Sequence, residues 1–379
     1  TYDLSDNLTA AYTFGLFQNN DDATVNSYLR DTSGNTVYAG ALNIGGKAYT
    51  VTASAFSNGV YHLNETQLAQ GLSLGSHTNG VFDFDLVVTH FDYLKSRQRT
   101  PTTALPVAFT GGAGTDAVLD GTGWTTWDAK GIWRPEGAHI VTFGWHQDAF
   151  KLSSPKYALA DWISGDDGTL QTLSQGRTQT QAVWAQDVWA LSPQFKATFG
   201  ARIEDWRAYG GRNYSASPAL NVTQPELEKQ AVSPKFVLAY APSPDWTFKG
   251  SVGMAHRFPT VSELYQSVTT GTILSVPNPN LRPERAVSTE ISAEKTWKSG
   301  NARVSLFTES IGNALLSQSA PLVAGSATLY SYVQNVDRTQ AKGIEVVVAQ
   351  RDLLIPGLEL SGWATYVDAK IDKDAAFAA

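Results

Sequence analysis

The chain has 379 residues, and its 28 Lys and Arg with 35 Asp and Glu make it 17% charged, below the roughly 25% of soluble domains. It contains no Cys, which excludes disulfide scaffolds, thiolate zinc sites and cysteine nucleophiles. The net charge of -7 argues against a nucleic-acid partner, which would need a basic surface. No stretch reaches the roughly 18 apolar residues of a membrane helix. Composition does not shift along the chain, so we expect one domain over residues 1–379.

Alternation of apolar and polar residues predicts β-strands along the whole chain. Leu8, Tyr12 and Phe14 share one face of the first such run, and Phe82 and Phe84 share one face of a later run. About thirteen strands are predicted, near residues 8–16, 61–74, 81–94, 121–133, 138–150, 178–191, 195–207, 232–241, 245–257, 286–298, 301–313, 338–350 and 357–371. Most have about ten residues or more, the length of membrane-barrel strands, whereas globular strands centre on about five or six.

The connections between these strands alternate in length. Short turns of Pro, Gly or Ser are predicted at residues 134–137, 192–194, 242–244 and 297–300. Connections of at least 24 residues are predicted at 18–60, 95–120, 151–177, 208–231, 258–285 and 314–337. Strict alternation is typical of an antiparallel β-barrel in a bacterial outer membrane, whose hairpins fall alternately on the periplasmic and extracellular sides. The predicted fold class is therefore all-β, a transmembrane antiparallel barrel in the cell outer membrane of a Gram-negative bacterium, in contact with its lipid.

Tryptophans lie near the predicted short turns, where amphipathic rings would sit at a membrane interface. They are Trp133, Trp145, Trp189, Trp246 and Trp297. The alternative interpretation places them in the core of a soluble β-sandwich. Charged residues on the opposite strand faces are candidates for a polar lumen: Asp83, Asp85, Lys196, Arg202 and Glu204.

From Ala182 onwards, several short motifs occur in a fixed order. They are Ala185-Gln186-Asp187-Val188-Trp189, Ala197-Thr198-Phe199-Gly200-Ala201-Arg202-Ile203-Glu204, Ser233-Pro234-Lys235-Phe236, Arg257-Phe258-Pro259-Thr260 with Glu263-Leu264-Tyr265, Asn278-Pro279-Asn280-Leu281-Arg282-Pro283-Glu284 with Glu290, and Gly343-Ile344-Glu345. In order and approximate spacing they resemble the TonB-dependent outer-membrane receptors of the ferric-siderophore type.

This resemblance implies a 22-stranded barrel around an N-terminal plug, which imports a scarce ligand, most often a ferric siderophore, with energy from the TonB complex through the plug. The plug and the terminal strands do not occur in this sequence, and an odd number of strands with two free edges cannot close. We therefore expect a barrel fragment of a longer receptor. The structural residues that the resemblance assigns are Arg257, Pro259, Glu263, Asn278, Pro279, Pro283, Glu284, Gly343 and Glu345.

Arg257 precedes a predicted loop that contains or adjoins Glu263 and Glu284. A charge pair there would brace the loop against the barrel rim, whereas the alternative is a set of solvated loop charges, since exposed pairs contribute only about 0 to 1 kcal/mol. Asn278-Pro279-Asn280 has the composition of a turn.

Aromatic and cationic residues of the predicted extracellular loops are the candidate ligand contacts, because siderophores are often aromatic and their iron complexes often anionic. They are Tyr28, Arg30, Tyr38, Tyr49, Trp162, Arg177, Tyr209, Arg212, Tyr214, Tyr265 and Tyr332. The six His form no metal-ligand spacing. Asp83 and Asp85 share a strand face, but nothing supports a catalytic cleft around them. The sequence therefore predicts no enzyme, catalytic residue, metal site or cofactor.

Three functions remain open. The first is active uptake of a ferric siderophore or similar metal chelate by a TonB-dependent receptor. The second is a plugless, substrate-specific porin. The third is a secreted, Trp-rich carbohydrate-binding or carbohydrate-active β protein, whose loop aromatics would stack on sugar rings.

Overall fold

A computed structural model describes residues 1–52, 55–78, 80–270, 273–321 and 329–374. Its strands are β1 (Tyr2–Ser5), β2 (Leu8–Ala23), β3 (Gly40–Ile44), β4 (Lys47–Val51), β5 (Tyr61–Ser76), β6 (Phe82–Pro101), β7 (Gly114–Val118), β8 (Gly123–Trp133), β9 (His139–Leu159), β10 (Asp167–Ala190), β11 (Phe195–Ser215), β12 (Leu220–Thr223), β13 (Leu227–Ser243), β14 (Trp246–Arg257), β15 (Val268–Thr270), β16 (Ile273–Val276), β17 (Glu284–Trp297), β18 (Gly300–Pro321), β19 (Leu329–Arg351) and β20 (Glu359–Lys373). The helices are two 3-10 turns, Ser57–Gly59 and Val107–Thr110, and α1 (Val261–Tyr265). No helix within these ranges is long and apolar enough to span a membrane.

The long strands form one sheet in which each pairs with the next along the chain. The order is β2, β5, β6, β8, β9, β10, β11, β13, β14, β17, β18, β19 and β20, with β1 on the outer side of β2. All of these pairs are antiparallel, and β16 adds a short parallel contact to β19. Within the described ranges β20 pairs only with β19, and all of its 15 residues are exposed. Among the described residues the sheet is therefore open at β1 and β20.

Each predicted strand overlaps one of these long strands, but the lengths predicted for several connections are wrong. Residues 151–177 belong mainly to β9 and β10, which leaves only 160–166 between them. Strands β11 and β18 likewise continue to Ser215 and Pro321 through segments predicted as loops. In these segments both faces of the hairpin are polar, so the sequence shows no apolar alternation. The backbone hydrogen bonds between the strands nevertheless continue, which is why the strands are longer than predicted. Long connections remain at 24–60, 102–122 and 258–283, and each contains at least one short strand and a helical turn.

The two faces of the sheet differ in polarity. One, called here the apolar face, presents large exposed side chains such as Phe14 (59% exposed), Phe199 (48%) and Ile291 (66%). Cross-strand register places the five predicted interface tryptophans on this face too, which contradicts the sandwich-core interpretation. A soluble sandwich would bury such a row instead.

The opposite face, called here the polar face, carries the predicted lumenal charges. Asp85 pairs with Lys130 in β8, and the same register line continues through β9 and β10 to Arg202 in β11. Asp83, Lys196 and Glu204 stand at even spacings from these residues along their strands and therefore share the face. Asp83 is buried and accepts hydrogen bonds from Ser76, Thr78 and Arg134 beside a short turn.

Candidate functional site

The segment between β14 and β17 begins with a capped turn of helix. The Thr260 hydroxyl accepts a hydrogen bond from the Glu263 backbone N–H at 3.2 Å, and the Glu263 carboxylate accepts one from the Thr260 backbone N–H at 2.8 Å. Arg257, the last residue of β14, lies 2.6 Å from Glu263 and 3.8 Å from Glu284. The charge pair considered from the sequence is thus present, and it ties the start of the segment to its end.

The helix places two fully buried side chains, Leu264 and Tyr265, against the polar-face residues of β9 and β11. The Tyr265 ring lies between Gly176 and Gly211, where a methyl group on either glycine would overlap it. Leu315 of β18 and Val333 of β19 pack against the same cluster. The segment therefore spans the polar side of the sheet from β9–β11 to β18–β19.

The Asn278–Glu284 motif fastens the far end of the segment to β18 and β19. Asn278 donates its side-chain amide to the Val333 carbonyl at 3.1 Å and accepts from the Asn280 backbone N–H at 3.0 Å, as a turn requires. Asn335 accepts from the Arg282 backbone N–H and donates to its carbonyl, both at 2.8 Å. Glu284 accepts from the Leu315 backbone N–H. Pro279 and Pro283 lie in and just after this turn.

A cavity of about 590 Å³ lies between this segment and the polar face of β8–β11. Its sheet side carries Trp124 and Phe150, with ring centroids 6.0 Å apart, and Phe91 stacks on Trp124 at 4.1 Å. Its segment side carries Phe258 and Pro259. Trp206, almost fully buried, stacks on Phe258 at 5.5 Å. Aromatic rings therefore form part of both the sheet side and the segment side of the cavity.

Charged side chains also line the cavity. Arg202 Nε lies 2.8 Å from Glu204 Oε1, and Ser233 donates to the other carboxylate oxygen at 3.4 Å. Asp148 also lines the cavity and lies 3.2 Å from His146 Nε2. Lys151 lines its edge. Among the described residues, no group of three or more His, Cys, Asp or Glu is arranged to hold a metal ion. The cavity thus combines aromatic surface with cationic side chains and carboxylates, which suits a polar ligand that also has apolar groups.

Sequence reasoning missed the aromatic residues of this cavity because it searched the loops. Trp124, Phe150 and Trp206 lie on strands, at positions that strand alternation assigns to the polar face. A large aromatic residue at a polar-face position was the signal that would have identified them.

Three predicted ligand contacts are buried by packing between loops and do not present a free surface. Tyr38 packs edge-on against Phe56 and Phe109 at 5.5 Å. Trp162 stacks on His62 at 4.5 Å and donates its indole N–H to the Ala108 carbonyl. Tyr265 packs in the helix cluster. These rings stabilise the loops because burying an aromatic ring stabilises more than leaving it in water.

The same loops are held by a charged cluster around Arg97. Its guanidinium lies 2.9 Å from Asp167, 3.2 Å from Asp120 and 3.3 Å from Asp116. Burial, together with the charge of Asp167, raises the pKa of Asp116 to about 6. One arginine thus joins the 102–122 connection to the start of β10.

Four other candidates lie on the apolar side of the β10–β11 hairpin and cannot reach the cavity. Arg177 pairs with Tyr209 across the strands, while its neighbours Gly176 and Thr178 face the polar side. Register places Arg212 and Tyr214 on the same outer side as Arg177. The expectation that these four residues lie in loops is wrong, because β10 and β11 continue through them as a strand pair.

The remaining candidates are spread over the far end of the sheet. Tyr28 is 93% exposed and Tyr49 is also exposed, both in the 24–60 connection. Arg30 donates to the carbonyls of Ser27 and Leu29 in its own loop. Tyr332 stacks on Tyr330 and donates to Gln318. The structure therefore does not assemble the predicted contacts into one site.

The Gly343-Ile344-Glu345 motif lies in β19. Gly343 faces the Phe307 ring of β18 so closely that a Cβ would overlap it, and Glu345 lies 3.0 Å from Arg303. Leu306 of β18 pairs with Ile291 on the apolar face, so its neighbours Ser305 and Phe307 face the polar side. Gly343 and Glu345 pair with Phe307 and Ser305 and therefore lie on the polar face too.

A family model described as the β-barrel of TonB-dependent receptor-like proteins matches residues 1–378. The chain is 24% identical over 250 residues to the iron-regulated outer membrane virulence protein of Vibrio cholerae serotype O1. The aligned region covers 62% of this chain and 33% of that protein. The chain thus spans about a third of the length of this curated relative.

Solved structures with a similar fold include the copper transporter OprC, with a TM-score of 0.65 at 12% identity over 96% of this chain and 57% of that one. The ferripyoverdine receptor of Pseudomonas aeruginosa, solved with ferripyoverdine, gives a TM-score of 0.62 at 12% identity and covers 100% of this chain and 49% of that one. The ferric yersiniabactin uptake receptor FyuA of Yersinia pestis gives a TM-score of 0.56 at 13% identity and covers 83% of this chain and 44% of that one. At such identities the similarity concerns the fold.

Proposed function

Because the chain belongs to the TonB-dependent receptor-like β-barrel family, we propose that it forms the barrel part of an outer-membrane receptor that takes up a ferric siderophore. The family comprises transport receptors of the outer membrane and is not a class of enzymes. On this proposal residues 1–379 belong to a single barrel domain, and the full-length protein adds a plug through which the TonB complex supplies energy.

The cavity beneath the 258–283 segment is the observation that supports this proposal. It combines the Trp124 and Phe150 rings with Arg202 and two carboxylates in about 590 Å³. Such a site suits a compact chelate, which presents flat apolar groups and polar oxygens together. The names of a curated relative and of two solved neighbours, which refer to iron regulation, ferric yersiniabactin and ferripyoverdine, support an iron chelate as the cargo.

The proposal predicts that Trp124→Ala in the full-length receptor weakens chelate binding about three- to tenfold, because a stacked ring is lost. Trp127→Ala is the matched control, since Trp127 lies on the same strand but on the apolar face. Binding and uptake of iron-labelled hydroxamate, catecholate and mixed siderophores would be measured in cells that lack other receptors.

Uptake should also stop when TonB is deleted. Uptake that continues without TonB would favour the plugless porin. Equal losses for the two tryptophan variants would exclude the cavity as the ligand site, and failure to bind any iron chelate would contradict the proposed cargo.

A further inference from the structure

The apolar face of β9–β13 ends at a sharply defined row of polar residues. Trp145, Val183, Ile203 and Val232 pair side by side across four strands as an apolar row. Two residues further along each strand, the next row on that face is polar and consists of Gln147, Gln181, Asp205 and Gln230. Gln181 donates to Gln147 at 3.0 Å, and Gln230 donates to Asp205 at 3.3 Å. This amide row marks the level at which lipid hydrocarbon gives way to headgroups.

Four cations stand just beyond the amide row on the same side of the sheet. They are Lys151, Arg177, Arg207 and Arg212. Arg207 donates to Gln179 and lies 5.0 Å above the Tyr209 ring, and Arg212 donates to Asn221. Within the part of the chain that the structure describes, no ion pair joins any of the four to a carboxylate. The carboxylates nearest in register are Glu228, opposite Arg207, and Asp205 in the amide row.

A pocket of about 230 Å³ opens among these cations. Lys151, Arg177 and Tyr209 line it together with the polar residues Ser153 and Gln175. The pocket exists because β11 bulges at Gly210, whose φ of +64° favours glycine, so that Arg177 and Gln175 pair with residues 209 and 212. The bulge therefore creates a depression between two cationic side chains on an otherwise regular strand pair.

The position and charge of this surface identify its partner. Arg177 points away from the cavity, because its neighbours Gly176 and Thr178 occupy the polar side, whereas Lys151 borders both the cavity and this pocket. The surface stands at headgroup height on the lipid-facing wall, where unpaired cations meet the phosphates of anionic lipids. We propose that the pocket formed by Lys151, Arg177 and Tyr209, flanked by Arg207 and Arg212, binds the phosphate groups of a phosphorylated lipid in the outer leaflet.

The test uses the full-length receptor in nanodiscs of phosphatidylcholine with or without diphosphorylated lipid A, and lipid retention is measured by native mass spectrometry. Arg177→Gln combined with Arg207→Gln should lower the affinity for lipid A about fivefold for each cation removed. The matched control, Lys196→Gln with Lys249→Gln, removes two cations from the polar face and should leave affinity unchanged.

An equal loss in the control variant, or no loss in the arginine variant, would overturn the proposal. Dephosphorylated lipid A should bind no better to the wild type than to the arginine variant. Displacement of the lipid by inorganic phosphate at matched concentration would indicate a free-anion site and also contradict the proposal. If the glutamine variant fails to assemble, Arg177→Lys with Arg207→Lys is measured instead. This variant keeps both charges, so it should retain more than half of the lipid A that the wild type retains, and a larger loss would contradict the proposal.

Discussion

Tyr265 is a ring held between two glycines, with its hydroxyl buried. Gly176 and Gly211 contact its two edges, and the hydroxyl has no hydrogen-bond partner among the described residues. Burial, with the nearby charge of Glu226, raises the pKa of Tyr265. The ring therefore stabilises the docked segment through packing, while its hydroxyl opposes burial.

We expect Tyr265→Phe to leave the docking of residues 258–283 unchanged or stronger, since it removes an unpaired buried hydroxyl that costs about 1 to 3 kcal/mol. Tyr265→Ala should weaken docking by about 3 to 5 kcal/mol because it opens a cavity. Amide hydrogen exchange of this segment measures both effects. Equal damage from the two substitutions would mean that the hydroxyl has a partner and would contradict the packing role.

At this scale the sequence predicted residue types better than their surroundings. Arg257, Glu263 and Glu284 were considered together as a charge pair, and the structure brings them together, because a strand end and a capped turn fix their positions locally. Tyr38 and Trp162 were misjudged because their burial depends on loops that meet only in three dimensions, from three distant connections. No local pattern separates a loop aromatic that packs from one that stays exposed.

At the scale of strands, the contact of Gly343 with Phe307 shows why β18 and β19 pair closely on the polar face. The ring lies across the glycine, and the Tyr366 carbonyl of β20 approaches from the other side. A side chain at this position would have to displace either an aromatic ring or a neighbouring strand.

Gly343→Ala should therefore destabilise the sheet by about 1 to 3 kcal/mol. Gly362→Ala in β20 is the control, because a Cβ there meets nothing within 4 Å. Urea unfolding of the full-length receptor in lipid vesicles would compare the midpoints of the two variants with that of the wild type. A midpoint for Gly343→Ala that equals the control would show that β18 to β20 can shift apart at no cost.

Strands were the most predictable elements, since alternation is imposed wherever one face is apolar and the other polar. Their far ends were not predictable for the same reason. In residues 167–178 of β10 both faces are largely polar or small, so the ladder continues with no periodic signal. The inner cavity was missed because it lies on these regular strands and not in the loops that composition makes conspicuous.

Across the whole molecule, the low charge content has a definite location. Exposed apolar side chains cover one face of the long strands, while the ion pairs of Asp85, Arg202 and Glu345 lie on the other. In the middle of the long strands, a charge should therefore be tolerated or rejected according to the parity of its position. Closer to the strand ends, the ion pairs His139–Asp187 and Lys342–Asp368 lie on the apolar face.

Ile291→Lys and Ser288→Lys test this division three residues apart on β17. Ile291 lies on the apolar face between Gly250 and Leu306, so a lysine there should cost about 2 to 4 kcal/mol near the bilayer midplane. Ser288 lies on the polar face opposite Glu309, and its substitution should have little effect. The measurement is the fraction of full-length receptor that assembles into the outer membrane as a heat-modifiable species, and equal assembly of the two variants would contradict the assignment of faces.

The 258–283 segment joins parts of the sheet that are far apart along the chain. Its cluster contains Leu152 of β9 and Leu281, and it is completed by Leu315 and Val333. These contacts form only after β18 and β19 exist and have curved back toward β9–β11, so closing them requires a long stretch of chain to be ordered first. We therefore expect docking of this segment to be a late step of folding, which occurs once the strands on both sides have reached their native registers.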